Sequence, residues 1–187
     1  MENIYLALVD TPGIFAAMIR RVIGLDYIHV AIAMDKDLQE TYSVGRRNPA
    51  IPFFAGFTRE RADEILAAFP NARYKIVAIP CTSEQKESIL LDLMNSYEHR
   101  KEIHYCILGL PFILGNKPFY QRNYFTCSSY LARLLSSHGL ISFDKHFSLV
   151  TPKDFYRNYT EDVVYEGDLG NYIRSRNYPS ESVRYET

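Results

Sequence analysis

Tyr124-Phe125-Thr126-Cys127-Ser128-Ser129-Tyr130-Leu131-Ala132-Arg133-Leu134-Leu135 reads as a helix that opens on a cysteine. The Thr126 hydroxyl is placed to accept an orphan backbone N–H of the first turn. Cys127, Tyr130, Leu131, Leu134, Leu135 and His138 then recur on one face at helical spacing. Gly139 follows where a left-handed residue ends helices. A thiol in the first turn feels the positive end of the helix dipole, which favours the thiolate. This is how a cysteine nucleophile is prepared. The plainer alternative is a small buried hydrophobe.

Upstream, Ile4-Tyr5-Leu6-Ala7-Leu8-Val9 is a near-continuous apolar run suited to a buried strand. Asp10-Thr11-Pro12-Gly13 breaks it. Ile14, Phe15, Met18, Ile19, Val22 and Ile23 then mark a helix over 14–23, with Arg20 and Arg21 in its last turn and Gly24 at its end. Tyr27 to Met34 and Leu38 to Val44 read as two strands of a hairpin about Asp35-Lys36-Asp37. The segment from Ala50 to Phe69, with Pro52 and Gly56, reads as a structured loop with a short helix near Arg61–Ala68. A third long strand covers Tyr74 to Ile79 and stops at Pro80. Thr82 to Gln85 is a capping box, and the helix behind it is expected to bury Leu90, Leu93, Met94 and Tyr97. Arg100 to Asn123 reads as aromatic loops with a short helix. Thr151-Pro152 starts another helix, and Val163-Val164-Tyr165 suits a last strand.

The totals fit this pattern. The chain has 187 residues, 47% hydrophobic and 23% charged, enough for one domain with its own core. We expect a single domain over 1–187, with a loose polar tail from about Arg174. The net charge of −1 gives no basic field for nucleic acid. Cys81, Cys106 and Cys127 are odd in number and widely spaced, which points to reduced thiols. The N-terminus lacks a basic segment and a long apolar one, and no apolar run reaches the ~20 residues of a membrane span. The expectation is therefore a cytoplasmic protein without integral membrane contact.

A cysteine nucleophile needs a base in reach and a group to orient that base. His138 ends a helix, His99 and His104 lie in a charged stretch, and His146 flanks Lys145. None of these spacings makes a zinc motif, so neither metal nor cofactor is expected. His29 interrupts an apolar strand, where a polar ring must find a partner, either as a satisfied core residue or as a base. A two-residue turn at Lys36-Asp37 would pair Ala31 with Tyr42 and set Tyr42 and Glu40 on the His29 face. Tyr42 would then be diagonal to His29, about 7–8 Å away between backbones. A three-residue turn would instead bring Ser43 opposite His29. Cys81 precedes a helix but has no histidine in its pattern, and Cys106 reads as core. Arg46 and Arg47 are either a solvated turn or a binding site for an anionic group. Phe119, Tyr120, Tyr124 and Phe125 either pack a long loop or line a groove beside Cys127.

Tyr27-Ile28-His29-Val30-Ala31-Ile32, Tyr42-Ser43-Val44-Gly45-Arg46 and Phe125-Thr126-Cys127-Ser128-Ser129-Tyr130-Leu131, in that order, resemble the circularly permuted papain-like hydrolases. That group includes the YiiX-like amidases and peptidases and is similar to lecithin retinol acyltransferases and, unpermuted, to NlpC-type cell-wall peptidases. His29 precedes Cys127 by about a hundred residues, which is the permuted order. The resemblance covers roughly residues 3–170. It implies Cys127 as nucleophile, His29 as general base, and a third group at Tyr42, with Glu40 as backup. In the family that third place is usually Glu, His, Asn or Gln, so Tyr42 departs from the pattern. The backbone N–H of Cys127 would be an oxyanion donor.

The expected fold is therefore α+β: an antiparallel sheet or half-barrel packed against the Cys127 helix. The expected function is a cysteine-dependent hydrolase that cleaves an amide or ester through an acyl-enzyme, with Arg46 and Tyr124 as substrate-binding candidates. Its substrate would be a small molecule, a peptide or a lipid-like amide or ester. The alternatives are an acyltransferase on the same fold and a non-catalytic module that binds in the cleft.

Overall fold

The computed structural model describes residues 1–12, 14–47 and 55–177. The expected break at Gly13, the features at Asn48, Pro49, Ala50 and Pro52, and the tail beyond 177 lie outside the described residues. So do the side chains of Ile14, Phe15, Met18 and Val22. In chain order the elements are β1 (Glu2–Asp10), α1 (Ile14–Ile23), β2 (His29–Ala33), β3 (Thr41–Arg46), β4 (Ala55–Glu60), α2 (Ala62–Ala68), β5 (Arg73–Cys81) and α3 (Ser83–Glu98). They continue with β6 (His104–Tyr105), α4 (Gly109–Leu114), β7 (Tyr124–Phe125), α5 (Cys127–Ser137), α6 (Pro152–Asn158), β8 (Val163–Asp168) and α7 (Leu169–Asn177).

This is an α+β architecture on one eight-stranded sheet, in the order β7-β6-β4-β3-β2-β1-β5-β8. Every pairing is antiparallel except β6 with β7. Both faces are covered, which is why the central strands read as continuous apolar runs rather than alternating ones. Ile4, Leu6 and Leu8 of β1, Val30 and Ile32 of β2, and Val77 and Ile79 of β5 join Leu131 and Leu135 of α5 and Ile89 and Leu93 of α3 in the larger core. Ala7, Val9, Ala31, Ala33, Tyr74 and Ile76 face the other way, towards Leu169 and Tyr172 of α7 and the apolar side of α2. Helix α1 caps one end of the sheet, where Ala16, Ile19 and Ile23 close over Ile28.

Several expected boundaries move for physical reasons. β4 replaces the expected loop; it contributes one fully buried large side chain, Phe57, so its sequence carries little apolar signal. β5 runs through Pro80 instead of stopping there. The N–H of Ala78 points outward to the Asp162 carbonyl, and Pro80 points the same way, past the end of its pairing with β8, so its missing N–H breaks no ladder bond. In α3 the buried side chains are Ile89 and Leu93, whereas Met94 and Tyr97 are exposed. Arg174 to Asn177, expected to be loose, belong to α7. Arg20 does more than complement a dipole: it pairs with Asp10 and donates to the Thr11 carbonyl at 2.8 Å, tying α1 to β1.

Helix α5 is deeply set, with eight of its eleven residues buried. Leu131 has no exposed surface and lies in the larger core. Leu131→Ala is therefore expected to lower unfolding free energy by about 2–5 kcal/mol, as large-to-small core changes do. Urea unfolding followed by circular dichroism measures this.

Candidate functional site

The hairpin turn decides which side chains can meet His29. The Asp35 carboxylate accepts backbone N–H bonds from Asp37 (2.9 Å), Gln39 (3.1 Å) and Glu40 (2.7 Å), and Leu38 adopts φ 59°. The loop is thus longer than the two-residue turn expected. Met34 donates to the Glu40 carbonyl, and Ile32 pairs with Tyr42 instead of Ala31 doing so. A shift of one residue turns a whole strand over. Tyr42 consequently lies on the α5 face, stacked on Phe57, with its hydroxyl 3.4 Å from Glu40. Neither Tyr42 nor Glu40 is brought to His29. The same ladder, extended, carries Gly45 across from His29. A Cβ on Gly45 would stand 2.9 Å from His29 Cε1, so only glycine leaves room for the ring as it sits.

The partner of His29 is Glu60, a residue the sequence reading did not single out. His29 Nε2 lies 2.6 Å from Glu60 Oε1, and the Ser43 hydroxyl donates to the same oxygen. Pairing of Thr41 with Glu60 and of Ser43 with Thr58 makes Ser43 and Glu60 diagonal neighbours on one face of the sheet. The three-residue turn that would bring Ser43 opposite His29 is not formed either: Gly45 stands there, and Ser43 bonds the Glu60 carboxylate rather than the ring. The signal for Glu60 is an acid ending a short segment, Phe57-Thr58-Arg59-Glu60, whose alternation emerges only once Phe57 is known to face the core.

Cys127 is the first residue of α5. Thr126 and Ser129 form a reciprocal capping box, with Ser129 N to Thr126 Oγ1 at 3.1 Å and Thr126 N to Ser129 Oγ at 2.8 Å. The Ser128 hydroxyl donates to the Val150 carbonyl at 2.6 Å, which fixes the turn against the following segment. The His29 ring and the backbone N–H groups of Val30 and Ser128 lie close enough to the Cys127 sulfur to act on its charge. Because Nε2 is engaged by Glu60, Nδ1 is the nitrogen left to face the sulfur. The Cys127 N–H, in the first turn, has no acceptor within the helix.

Charge is distributed accordingly. Burial by itself raises a thiol, yet the Cys127 thiol is lowered, because the His29 charge and hydrogen bond and the two backbone N–H groups outweigh it. Burial works to lower the His29 imidazole, but the Glu60 carboxylate and the Cys127 sulfur override it and push the ring up to about 10. Glu60 is likewise lowered against its burial by His29, Ser43 and Arg46. Cys81 and Cys106 behave oppositely: both are buried, and burial raises both. Of the three thiols, only Cys127 is prepared to be an anion.

His29, Glu60 and Gly45 open onto a cleft walled by α1, α2 and the segment leading into α4. Arg46 lines it, with its guanidinium 4.8 Å over the Phe69 ring and its charge felt by Glu60. Tyr124 does not line it; that ring packs on His104 at 4.9 Å instead. Tyr105, one strand position along, does line it, and the phenol is raised by burial and by the neighbouring Cys127. Cys127 is only 3% exposed and is not on the cleft wall, whereas His29 and Tyr105, both of which feel its charge, are.

No protein-family model matches the chain, and no curated protein or solved structure is significantly similar to it.

Two outcomes follow from this geometry. Gly45→Ala is expected to displace the His29 ring and to reduce stability by about 1–3 kcal/mol, as overpacking does; denaturant unfolding measures the second effect. The pH dependence of stability isolates the ion pair. The raised histidine contributes stability that is lost as pH rises above 6.5, and the lowered cysteine contributes stability that is lost as pH falls below 9.0. In the parent the two slopes therefore oppose each other between these values. With Cys127→Ser only the raised histidine remains. Its stabilisation is complete below 6.5 and is lost as pH rises towards the folded value. Stability of the variant should therefore fall across this window relative to the parent, as read from urea midpoints at successive pH values.

Proposed function

We propose that this protein is a cysteine-dependent hydrolase that cleaves an amide or ester bond through an acyl-enzyme. The observation that carries the reading is the chain of contacts from the Cys127 sulfur through the His29 ring to the Glu60 carboxylate, with the thiol lowered in spite of burial. The His-before-Cys order, the sheet that holds His29 and the helix that opens on Cys127 also fit a circularly permuted papain-like hydrolase. Glu60 fills the third place with a carboxylate that can balance an imidazolium, which a tyrosine cannot do. The close approach of sulfur and imidazole favours an enzyme over a module that merely binds in the cleft.

In this mechanism the Cys127 thiolate attacks the substrate carbonyl carbon. The carbonyl oxygen becomes an oxyanion and takes the Cys127 backbone N–H. The protonated Nδ1 of His29 gives its proton to the departing amine or alkoxide, the carbon–heteroatom bond breaks, and a thioester remains on Cys127. Water then attacks the thioester while His29 takes its proton, and the acid product leaves with the thiolate restored. Glu60, steadied by Ser43, holds the ring in place and balances its charge. Substrate enters by the cleft, and the Tyr105 ring moves aside to uncover the sulfur.

Mass spectrometry after brief iodoacetamide treatment at neutral pH tests the reading. Cys127 should be alkylated well ahead of Cys81 and Cys106, and His29→Ala should abolish that selectivity. Glu60→Gln should slow Cys127 labelling by about 10²-fold, the low end of what a positioned acid–base partner contributes. Tyr105→Ala should speed it. Equal slow labelling of all three thiols in the parent protein would remove the basis for the proposal.

A further inference from the structure

A second exposed feature adjoins the cleft. The segment through α4 carries Ile107, Leu108, Phe112 and Leu114 at 46%, 68%, 39% and 63% exposure. Large apolar side chains clustered in the open mark a surface that meets something apolar. Ile107 and Leu108 lie in the turn that enters α4 and Phe112 and Leu114 in the short helix itself, with Phe112 stacked on Phe119 at 4.5 Å. Along the segment itself the charge has one sign, whereas Glu60 and Glu64 line the adjoining cleft. From Ile103 to Asn123 the sequence contains no aspartate or glutamate, while Lys117 and Arg122 are both exposed. Arg133, reaching over from α5, lies beside the same region, donating to the Tyr120 hydroxyl at 2.8 Å and standing 5.8 Å over the Phe147 ring. The patch is also continuous with the cleft. Ile107 lines both, and the cleft beyond it is walled by Val9, Ile19, Ile28, Ile65 and Phe69.

We propose that the α4 face docks on an anionic lipid surface, inserting Leu108 and Leu114 among the acyl chains and setting Lys117 and Arg122 against the headgroups. Exposed apolar side chains flanked by cations suit a bilayer interface, which yields around a projecting side chain. They are poorly suited to a rigid protein groove, for which shape complementarity would be needed. Docking in this pose brings the cleft mouth against the lipid, so an amphiphile can pass from the interface along apolar walls to His29 and Cys127. The surface binding stands without the catalytic reading; the delivery of substrate rests on it.

The experiment is co-sedimentation of the full chain with vesicles of phosphatidylcholine alone and of phosphatidylcholine mixed with phosphatidylglycerol. Binding to the mixed vesicles is expected, with much weaker binding to phosphatidylcholine alone. Leu108→Asp, Leu114→Asp and the pair Lys117→Glu with Arg122→Glu should each weaken it at least tenfold. Melting temperature and Cys127 alkylation rate, measured on the same variants, should match the parent, which excludes misfolding as the cause. No binding to the mixed vesicles, or binding untouched by these variants, would overturn the proposal. So would a dimer in solution that Leu108→Asp dissolves, since the face would then belong to a second copy. Vesicle binding together with unselective thiol labelling would leave the docking surface standing and remove the hydrolase reading alone.

Discussion

A protonated imidazole held between a carboxylate and a thiol is expensive to build inside a protein, because each of the three groups resists losing water when charged. Each becomes tolerable only through the others. Glu60 holds the proton on His29, His29 holds the thiol of Cys127 down, and Ser43 and the Val30 and Ser128 N–H groups satisfy what remains. Removing any member leaves a buried charge without its counterpart. The rest of the fold can be understood as what keeps three groups from three distant parts of the chain close enough to share charge.

The scaffold divides that task between rigid elements. His29 stands at the first position of β2 and Glu60 at the last position of β4, and the two side chains meet across β3, which lies between the strands. β3 contributes the Ser43 hydroxyl and, at Gly45, a missing side chain. α5 is pressed onto the opposite face by Leu131 and Leu135 and is capped so that its first residue meets the strand end. The exposed α4 segment lies at the rim of this assembly, outside its core, and can change without disturbing the charge chain.

Much of this was legible in the sequence where one interaction dominates a local pattern. The bounds of α1, the cap and face of α5, and the Thr82 capping box follow from short-range chemistry, and the structure has them. His29 and Cys127 were each readable as candidates, from a polar ring in an apolar strand and a thiol at a helix start, but what joined them was the family resemblance. What failed depended on pairing between strands. The Asp35 carboxylate gathers three N–H groups and lengthens the turn, and that single residue sends Tyr42 and Glu40 to the wrong side of the sheet. β4 was invisible for a related reason: its place between β3 and β6 is set by partners remote in sequence, and Gly56, Thr58, Arg59 and Glu60 look like a loop until those partners are present. Glu60, the group that most strengthens the site, was hidden within that strand.

The most direct test of the central claim is the titration of the His29 ring, followed by NMR on protein with isotope-labelled histidine. If the ring sits between Glu60 and Cys127 as described, it should stay protonated far beyond the ordinary range, with a midpoint near 10. That midpoint should drop when either Glu60→Gln or Cys127→Ala is introduced. A midpoint near 6.5 that neither substitution moves would mean the three side chains do not share charge, and the account of the site would fail.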